Sequence, residues 1–185
     1  HEAIWFQEAG ASKGAYYSLK GESMRRAYLT SPVEFSRVTS GFKMRLHPIL
    51  QTWRAHLGTD FAAPTGTAVR TVGDGVVEFA GVQNGYGNVV FVKHRNHHVT
   101  VYAHLSRIDV RQGQSIEQGQ TLGAVGATGW ATGPHLHFEF RVNGQYQDPM
   151  TIVAQSDAAA PIPAAARPAF ERLAANMRVQ LSAAA

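Results

Sequence analysis

Hydrophobic and polar residues alternate in short runs through the central part of the chain. Val89–His94 and Val99–Tyr102 are rich in β-branched and aromatic residues, and the polar residues Arg95 to His98 lie between them. Two such runs around a polar turn predict a β-hairpin. Thr71–Ala80 follows the same pattern. We therefore expect a mainly β fold, a compact antiparallel sheet with short hairpins.

A second repeating pattern lies between Val110 and Gly126, where glycine and aliphatic residues recur about every third position. Glycine accepts the positive φ of tight turns, whereas each interior glycine weakens a helix by about 1 kcal/mol. The pattern therefore predicts small β-hairpins in this segment and argues against a helix.

The pattern changes along the chain and divides it into three parts. Residues 1–35 form an N-terminal extension, residues 36–150 the main body, and residues 151–185 an Ala/Pro-rich linker followed by a C-terminal helix. The helix is predicted because apolar residues recur there at helical spacing. Two interpretations of this helix remain open. It docks on the main body or on a neighbouring molecule, or it is a tail helix that only packing keeps ordered. The apolar residues are Phe170, Leu173, Ala174, Met177 and Leu181.

The N-terminal extension contains two strand-like pieces, Ala3–Glu8 and Ala15–Leu19, and a short predicted helix at Ser23–Tyr28. The chain begins at His1, without an initiator methionine or an apolar leader. We therefore expect it to be a fragment of a longer protein, from which a leader and a regulatory upstream domain have been removed.

The amino-acid composition excludes several kinds of site and partner. The apolar content of 44% allows a packed core, and the absence of cysteine excludes disulfides and thiolate metal sites, so any metal must be held by His, Asp or Glu. The formal charge of +4 comes without a Lys/Arg run, so we expect no nucleic-acid partner. No apolar run approaches the roughly 20 residues of a membrane helix, and we expect no transmembrane segment.

Histidines and one aspartate form the candidate metal site. His56 and Asp60 are four residues apart around Gly58, which favours a bend, and His135 and His137 are two apart in a predicted strand. Residues i and i+2 of a strand share a face, so both imidazoles point into one space. A catalytic zinc takes three protein ligands and keeps one position open. His56, Asp60 and one of the two paired histidines supply that set.

Another histidine ends a predicted strand. On strand alternation, His104 shares a face with Thr100 and Tyr102 and is expected to look into the same cleft. His94, His97 and His98 are interpreted as strand-end and turn residues. His47, before a proline, either lines the cleft or shapes a loop.

Ordered motifs across residues 40–149 resemble the lysostaphin-type zinc peptidases, metallopeptidase family 23. The stretches that carry the resemblance are Ser40-Gly41-Phe42, Arg45-Leu46-His47-Pro48, His56-Leu57-Gly58-Thr59-Asp60, Gly85-Tyr86-Gly87-Asn88, Tyr102-Ala103-His104-Leu105, Gly126-Ala127-Thr128-Gly129 and Thr132-Gly133-Pro134-His135-Leu136-His137-Phe138-Glu139. Lys43 and Ala68 depart from the family pattern, at turns.

The resemblance implies a zinc peptidase domain in which His56, Asp60 and His137 bind Zn²⁺. It also implies that His104 and His135 flank the metal-bound water and the scissile carbonyl, and leaves open which of them is the base. The family fold it implies is a compact antiparallel β structure with a cleft across the sheet.

The resemblance also implies a substrate and a place of action. The stretch from Pro32 to Arg37 is similar to Gram-negative envelope members, which implies cleavage of D-alanyl–diaminopimelate cross-links between peptidoglycan stem peptides, in the periplasm or cell envelope. A glycyl-glycine endopeptidase is an alternative. A second alternative is a non-enzymatic activator of wall amidases, as in relatives that have lost metal ligands; all five positions are intact here.

Overall fold

The computed structural model describes residues 3–11, 14–34, 36–46, 53–155 and 161–183. Within them the helices are α1 (Pro149–Gln155) and α2 (Arg167–Ala183). The strands are β1 (Ile4–Phe6), β2 (Ala15–Tyr17), β3 (Arg37–Ser40), β4 (Lys43–Leu46), β5 (Trp53–His56), β6 (Thr59–Ala62), β7 (Ala68–Arg70), β8 (Gly75–Gln83), β9 (Gly87–Lys93), β10 (His98–Ile108), β11 (Ser115–Ile116), β12 (Thr121–Val125), β13 (His135–Val142) and β14 (Gln145–Gln147).

The chain forms two compact units, one of residues 28–155 and one of residues 1–27 with 156–185. In the larger unit a sheet runs in the order β11-β8-β9-β10-β13-β6-β3, with β12, β7 and β14 paired at its sides. All of these pairings are antiparallel. The predicted mainly β, antiparallel fold with a C-terminal helix is confirmed. Helix α1 is not among the elements predicted from the sequence.

The hairpin predicted around Arg95 to His98 joins β9 to β10 and is confirmed. Asn96 and His97 both have positive φ, 56° and 57°. A turn with two such residues matches the right-handed twist of the strands it joins. This hairpin sets the register of the two central strands of the sheet.

The turns predicted between residues 110 and 126 are present, but the hairpins are not. Gly113 and Gly119 each have a φ of 82°, as the turns require. However, β11 pairs with β8, and β12 pairs with β10 and β7. The prediction of small local hairpins is therefore wrong, because a glycine spacing locates turns and does not choose the partner strand.

One apolar core of the sheet packs on a single face of β13. Leu136, Phe138 and Phe140 alternate along this face and are at most 2% exposed. The Phe138 ring lies 5.3 Å from the ring of Tyr102, which is fully buried. Burial of one such side chain contributes about 1.5–3 kcal/mol. The core holds β13 in place, so the opposite face of that strand can carry polar residues in fixed positions.

The smaller unit has its own core, built on α2 and the hairpin of β1 and β2. The Phe170 ring lies 5.5 Å from Phe6 and 6.0 Å from Tyr17, and Ile4 and Ile162 join them. The helix predicted at residues 23–28 is wrong, because these residues form bends and isolated bridges. In the described part of the chain, neither helix has the length and apolar character needed to cross a membrane.

Candidate metal centre

A tight bend brings His56 and Asp60 together at the ends of β5 and β6. The bend lies at Gly58, as the sequence predicts. A Cβ added to Gly58 would lie 2.5 Å from the carbonyl oxygen of Phe138 and 2.8 Å from the ring of His137. Glycine is therefore needed at this position, because β13 passes directly beside the bend.

The register between β6 and β13 completes the group. Asp60 is directly opposite His137 in this antiparallel pair. Asp60 Oδ1 lies 2.9 Å from His137 Nδ1 and 3.0 Å from His56 Nε2, and the two nitrogens are 3.2 Å apart. The three side chains are almost fully buried. Among the described residues they form the one His/Asp/Glu group close enough to hold a metal ion.

The second nitrogen of each imidazole is fixed by a hydrogen bond. His56 Nδ1 donates to the carbonyl oxygen of Gly41 at 2.8 Å, and His137 Nε2 donates to Glu139 Oε1 at 3.0 Å. They leave His56 Nε2 and His137 Nδ1 facing the Asp60 carboxylate, where each nitrogen donates a hydrogen bond to Asp60 or, once deprotonated, can bind a metal ion. Partners of this kind fix the tautomer and orientation of metal-binding histidines.

The electrostatic field of the group favours a cation. Burial opposes ionisation of Asp60, but hydrogen bonds from His137 and His56 hold the pKa of its carboxyl well below the ordinary value. Burial likewise lowers the pKa of His137, but the hydrogen bonds to Asp60 and Glu139 outweigh it and raise this pKa to about 9. The field that holds a proton between two carboxylates also favours a metal ion there.

The residues fit zinc in type and spacing. Zinc is bound by histidine nitrogen and carboxylate oxygen at about 2.0–2.2 Å in tetrahedral geometry, so neighbouring ligand atoms lie about 3.3 Å apart. The observed separations of 2.9, 3.0 and 3.2 Å are within a few tenths of an ångström of that value. Three ligands also leave the fourth position for water, as in catalytic sites.

His104 reaches the cleft, but not by the route that strand alternation suggests. Strict alternation along the strand puts His104 on the face of Thr100 and Tyr102, and the expectation that it looks into the cleft rests on this placement. Tyr102 is opposite Phe138 in the β10–β13 pair and packs in the apolar core, away from His137. The reason given for His104 is therefore wrong, although its position near the cleft is as expected.

A bulge in β10 turns His104 to the side of the metal group. The pairing of β10 with β9 shifts register between Tyr102 and Leu105, and His104 has a φ of 62°, in the left-handed region. This backbone conformation interrupts the alternation of side chains. The His104 ring centre consequently lies 4.7 Å from that of His135 and 5.9 Å from that of His137.

His104 and His135 present the same nitrogen to the cleft. His104 Nδ1 donates to the carbonyl oxygen of Thr128, and His135 Nδ1 to that of Gly133, both at 2.8 Å. Each ring therefore has Nε2 available, and His135 Nε2 lies 3.9 Å from Asp60 Oδ1. Burial, followed by repulsion from His135, lowers the pKa of His104 to about 4. A neutral imidazole with a directed lone pair can accept a proton.

A cleft of about 330 Å³ opens over the group. Tyr86, Trp130 and Glu139 line it beside the histidines, and the Trp130 side chain is half-exposed. The sequence patterns alone predict no role for these three residues. Glu139 could have been found, because it continues the spacing of two that joins His135 to His137.

The remaining histidines lie away from the cleft or outside the described residues. His94 contacts the carbonyl oxygen of Asp74 and the hydroxyl of Thr100, and His97 lies in the β9–β10 turn. His47 lies outside the described residues.

Comparisons with known proteins agree with this geometry. Residues 54–149 match the sequence profile of peptidase family M23. The chain is 47% identical over 140 residues to the peptidoglycan DD-endopeptidase ShyC of Vibrio cholerae, covering 75% of this chain and 32% of ShyC. It is 50% identical over 121 residues to the DD-carboxypeptidase/endopeptidase Mpg of Neisseria meningitidis, covering 65% of this chain and 28% of Mpg.

A solved structure is similar as well. The crystal structure of a zinc-containing peptidase from Vibrio cholerae matches with a TM-score of 0.65 and 37% identity. The match covers 88% of this chain and 51% of that one. The chain thus spans about three tenths of the length of the two curated relatives and half of the solved one.

Proposed function

Because the chain belongs to peptidase family M23, we propose that it is the zinc peptidase part of a peptidoglycan hydrolase. The bond we assign to it is the D-alanyl–diaminopimelate cross-link between stem peptides, cut as a D,D-endopeptidase. One observation carries the proposal: three ligand atoms, from His56, Asp60 and His137, converge beneath a cleft that also holds the free Nε2 atoms of His104 and His135.

His56 Nε2, Asp60 Oδ1 and His137 Nδ1 would hold the zinc ion. When bound, zinc supplies a Lewis acid that polarises the scissile carbonyl and lowers the pKa of water. Two neutral imidazoles and one carboxylate give the ligand set a single negative charge, so the site with bound zinc would keep a net charge near +1. The buried positions of the three side chains keep competing water away from the ligand atoms.

His104 and His135 transfer protons and stabilise the negative charge that develops on the substrate oxygen. One Nε2 accepts the proton of the attacking water, and the resulting N–H group donates to the leaving amine when the peptide bond breaks. The other histidine acts as an imidazolium: its Nδ1 hydrogen stays on the backbone carbonyl, and its Nε2 hydrogen is donated to the oxygen on which negative charge develops. The backbone carbonyl groups of Thr128 and Gly133 hold both rings in the orientation this needs.

The names of the relatives support the class of bond. ShyC is named as a DD-endopeptidase and Mpg as a DD-carboxypeptidase/endopeptidase, both at 47–50% identity. A substrate in the cell wall requires that this chain act in the periplasm or cell envelope. The intact ligand set supports an enzyme over a non-enzymatic activator of wall amidases, which needs no metal ligands.

Digestion of defined cross-linked muropeptides tests the proposal. The zinc-loaded chain is expected to carry about one zinc per molecule and to release monomers cut between D-alanine and diaminopimelate, identified by mass spectrometry. His137→Ala should lose both zinc and product. His97→Ala, a substitution of an exposed turn histidine, should retain both.

Two results would overturn the proposal. One is full cleavage by a His137→Ala protein shown to be free of zinc. The other is the absence of any cross-link product from a folded, zinc-loaded protein. Cleavage of pentaglycine in place of the D-alanyl–diaminopimelate bond would reject the assigned substrate and leave the zinc peptidase.

A further inference from the structure

One face of β13 carries four polar residues in single file. His135, His137, Glu139 and Arg141 are each two positions apart, so their side chains lie on the same side of the strand. The first two belong to the metal centre and its cleft. The last two continue the row away from the ligand atoms.

Glu139 is surrounded by hydrogen-bond donors. Its Oε1 accepts from His137 Nε2 at 3.0 Å and from the Tyr86 hydroxyl at 2.6 Å. Its Oε2 accepts from Arg141 Nε at 3.0 Å and from Arg141 Nη2 at 2.6 Å. The Glu139 side chain is 2% exposed. Four donors from three side chains leave this carboxylate a single orientation.

Arg141 is itself held in place. Its Nη2 also donates to the Tyr86 hydroxyl oxygen at 3.1 Å, which closes a ring of hydrogen bonds among Arg141, Tyr86 and Glu139. Its guanidinium carbon lies 4.6 Å from the ring centre of Tyr146 and 5.2 Å from that of Phe91. The planar group is therefore fixed by aromatic contacts as well as by the carboxylate.

The pairing also balances charge beside the metal centre. A buried carboxylate without a partner is strongly unfavourable, and it would add a second negative charge close to Asp60. The guanidinium of Arg141 compensates this charge. Glu139 can then orient His137 without reducing the net positive charge of a metal bound at the centre.

We propose that Arg141, acting through Glu139, is a positioning residue of the metal centre. Its guanidinium and the Tyr86 hydroxyl fix the Glu139 carboxylate, which keeps the hydrogen of His137 on Nε2 and directs the Nδ1 lone pair at the metal. The inference rests on the metal site of the proposed function, but it does not depend on which bond the enzyme cleaves.

Zinc affinity of the full chain, measured by competition with a chromophoric chelator, tests this role without any substrate. Loss of a residue that supports a metal ligand lowers affinity by about 10–100-fold. We expect this loss in Arg141→Ala, a similar loss in Glu139→Gln, and a smaller one in Tyr86→Phe. The visible absorption spectrum of the cobalt-substituted protein should also change in Arg141→Ala, because the His137 ring is no longer held.

The double variant separates positioning from a general effect on the fold. If Arg141 acts through Glu139, then Glu139→Gln combined with Arg141→Ala binds zinc no more weakly than Glu139→Gln alone. Independent, multiplicative losses overturn the proposal. Zinc affinity of Arg141→Ala within twofold of the wild type also overturns it.

A matched control lies at the C-terminal end of β10. Arg107 and Asp109 form an ion pair with the same spacing of two, but Arg107 is exposed and lies outside the cleft. Arg107→Ala should leave zinc affinity within twofold. Should Arg141→Ala not fold, Arg141→Lys retains the charge but not the two-pronged contact, and zinc binding at least fivefold weaker is expected. Wild-type affinity in Arg141→Lys would then reject the inference.

Discussion

Tyr102 and His104 are two residues apart on β10, yet their side chains lie on opposite faces of the sheet. The Tyr102 ring packs 5.3 Å from Phe138 in the core, whereas the His104 ring lies 5.9 Å from His137 in the cleft. The bulge between Tyr102 and Leu105, with its left-handed conformation at His104, accounts for the reversal. The local backbone geometry therefore places the His104 side chain in the proposed active site, beside the other four residues of that site.

Replacing His104 with asparagine should separate its chemistry from its backbone role. Asparagine tolerates the φ of 62° at this position but has no group that can accept and return a proton at neutral pH. We expect kcat to fall by about 10²–10⁴-fold, the usual contribution of a general acid–base group. The free energy of unfolding should change by less than about 1 kcal/mol.

His104→Val and His97→Asn are the matched comparisons. A β-branched residue at this φ is strained, so His104→Val should lose the same activity and also about 1–3 kcal/mol of stability. His97 has a φ of 57° in an exposed turn, and His97→Asn should leave both activity and stability unchanged. Activity of His104→Asn within threefold of the wild type would remove His104 from the catalytic machinery.

The site shows what local sequence can and cannot specify. The spacing of two in a strand correctly puts His135 and His137 on one face, and the glycine between His56 and Asp60 correctly predicts a bend. Both inferences depend only on geometry within a few residues. They need no knowledge of the partner strands.

The pairing of distant strands and the positions of bulges cannot be predicted from such local patterns. Asp60 meets His137 because β6 and β13 pair in one register across 77 residues, and no local pattern chooses that register. The bulge at His104 breaks the alternation on which the sequence argument relied. For the same reason the glycine spacing locates the turns at Gly113 and Gly119 but does not identify the strand partners beside them.

Zinc should stabilise the folded chain by an amount that grows with the logarithm of the ratio of zinc concentration to Kd. A ligand at 1,000 times its Kd adds about 4 kcal/mol, which corresponds to a rise in Tm of about 10 °C for a protein of this size. Asp60→Asn removes the one charged ligand but keeps the shape of the side chain. The zinc-dependent rise in Tm should then shrink to about 2 °C or less, as measured by calorimetry with zinc and with a chelator.

Asp109→Asn is the control for that experiment, because Asp109 pairs with an exposed arginine outside the cleft. Its Tm should respond to zinc as the wild type does. An undiminished response in Asp60→Asn would show that the stabilising zinc binds elsewhere.

The loop that holds His104 depends on close contact between two glycines. A Cβ on Gly129 would lie 2.4 Å from the backbone nitrogen of Gly87, and Gly129 has a φ of 71°. We expect Gly129→Ala to lower the free energy of unfolding by about 2 kcal/mol or more. It should also lower kcat, because the adjacent carbonyl of Thr128 orients the His104 ring.

Gly133→Ala is the comparison within the same loop. Its Cβ would meet no atom within 4 Å, and its φ is not positive. Stability measured by urea denaturation should change by less than about 0.5 kcal/mol. Equal losses in the two variants would show that the close contact at Gly129 is not what holds the loop.

Buried His94 should make stability depend on pH between about 4 and 6.5. Burial, the largest cause, lowers the pKa of His94 from 6.5 to about 4. Between these values the unfolded chain binds a proton that the folded chain does not, so the stabilising contribution is complete above pH 6.5 and is lost as the pH falls towards 4. At pH 4.5 the loss amounts to about 2–3 kcal/mol.

His94→Gln removes that titration while retaining groups that can contact Thr100 and the carbonyl of Asp74. Urea denaturation at pH 7.5 and 4.5 should therefore show a smaller loss of stability for the variant than for the wild type, by about 2 kcal/mol. Acid effects on the metal centre are common to both proteins and cancel in the difference. Equal losses of stability in the two proteins would mean that protonation of His94 does not destabilise the folded chain.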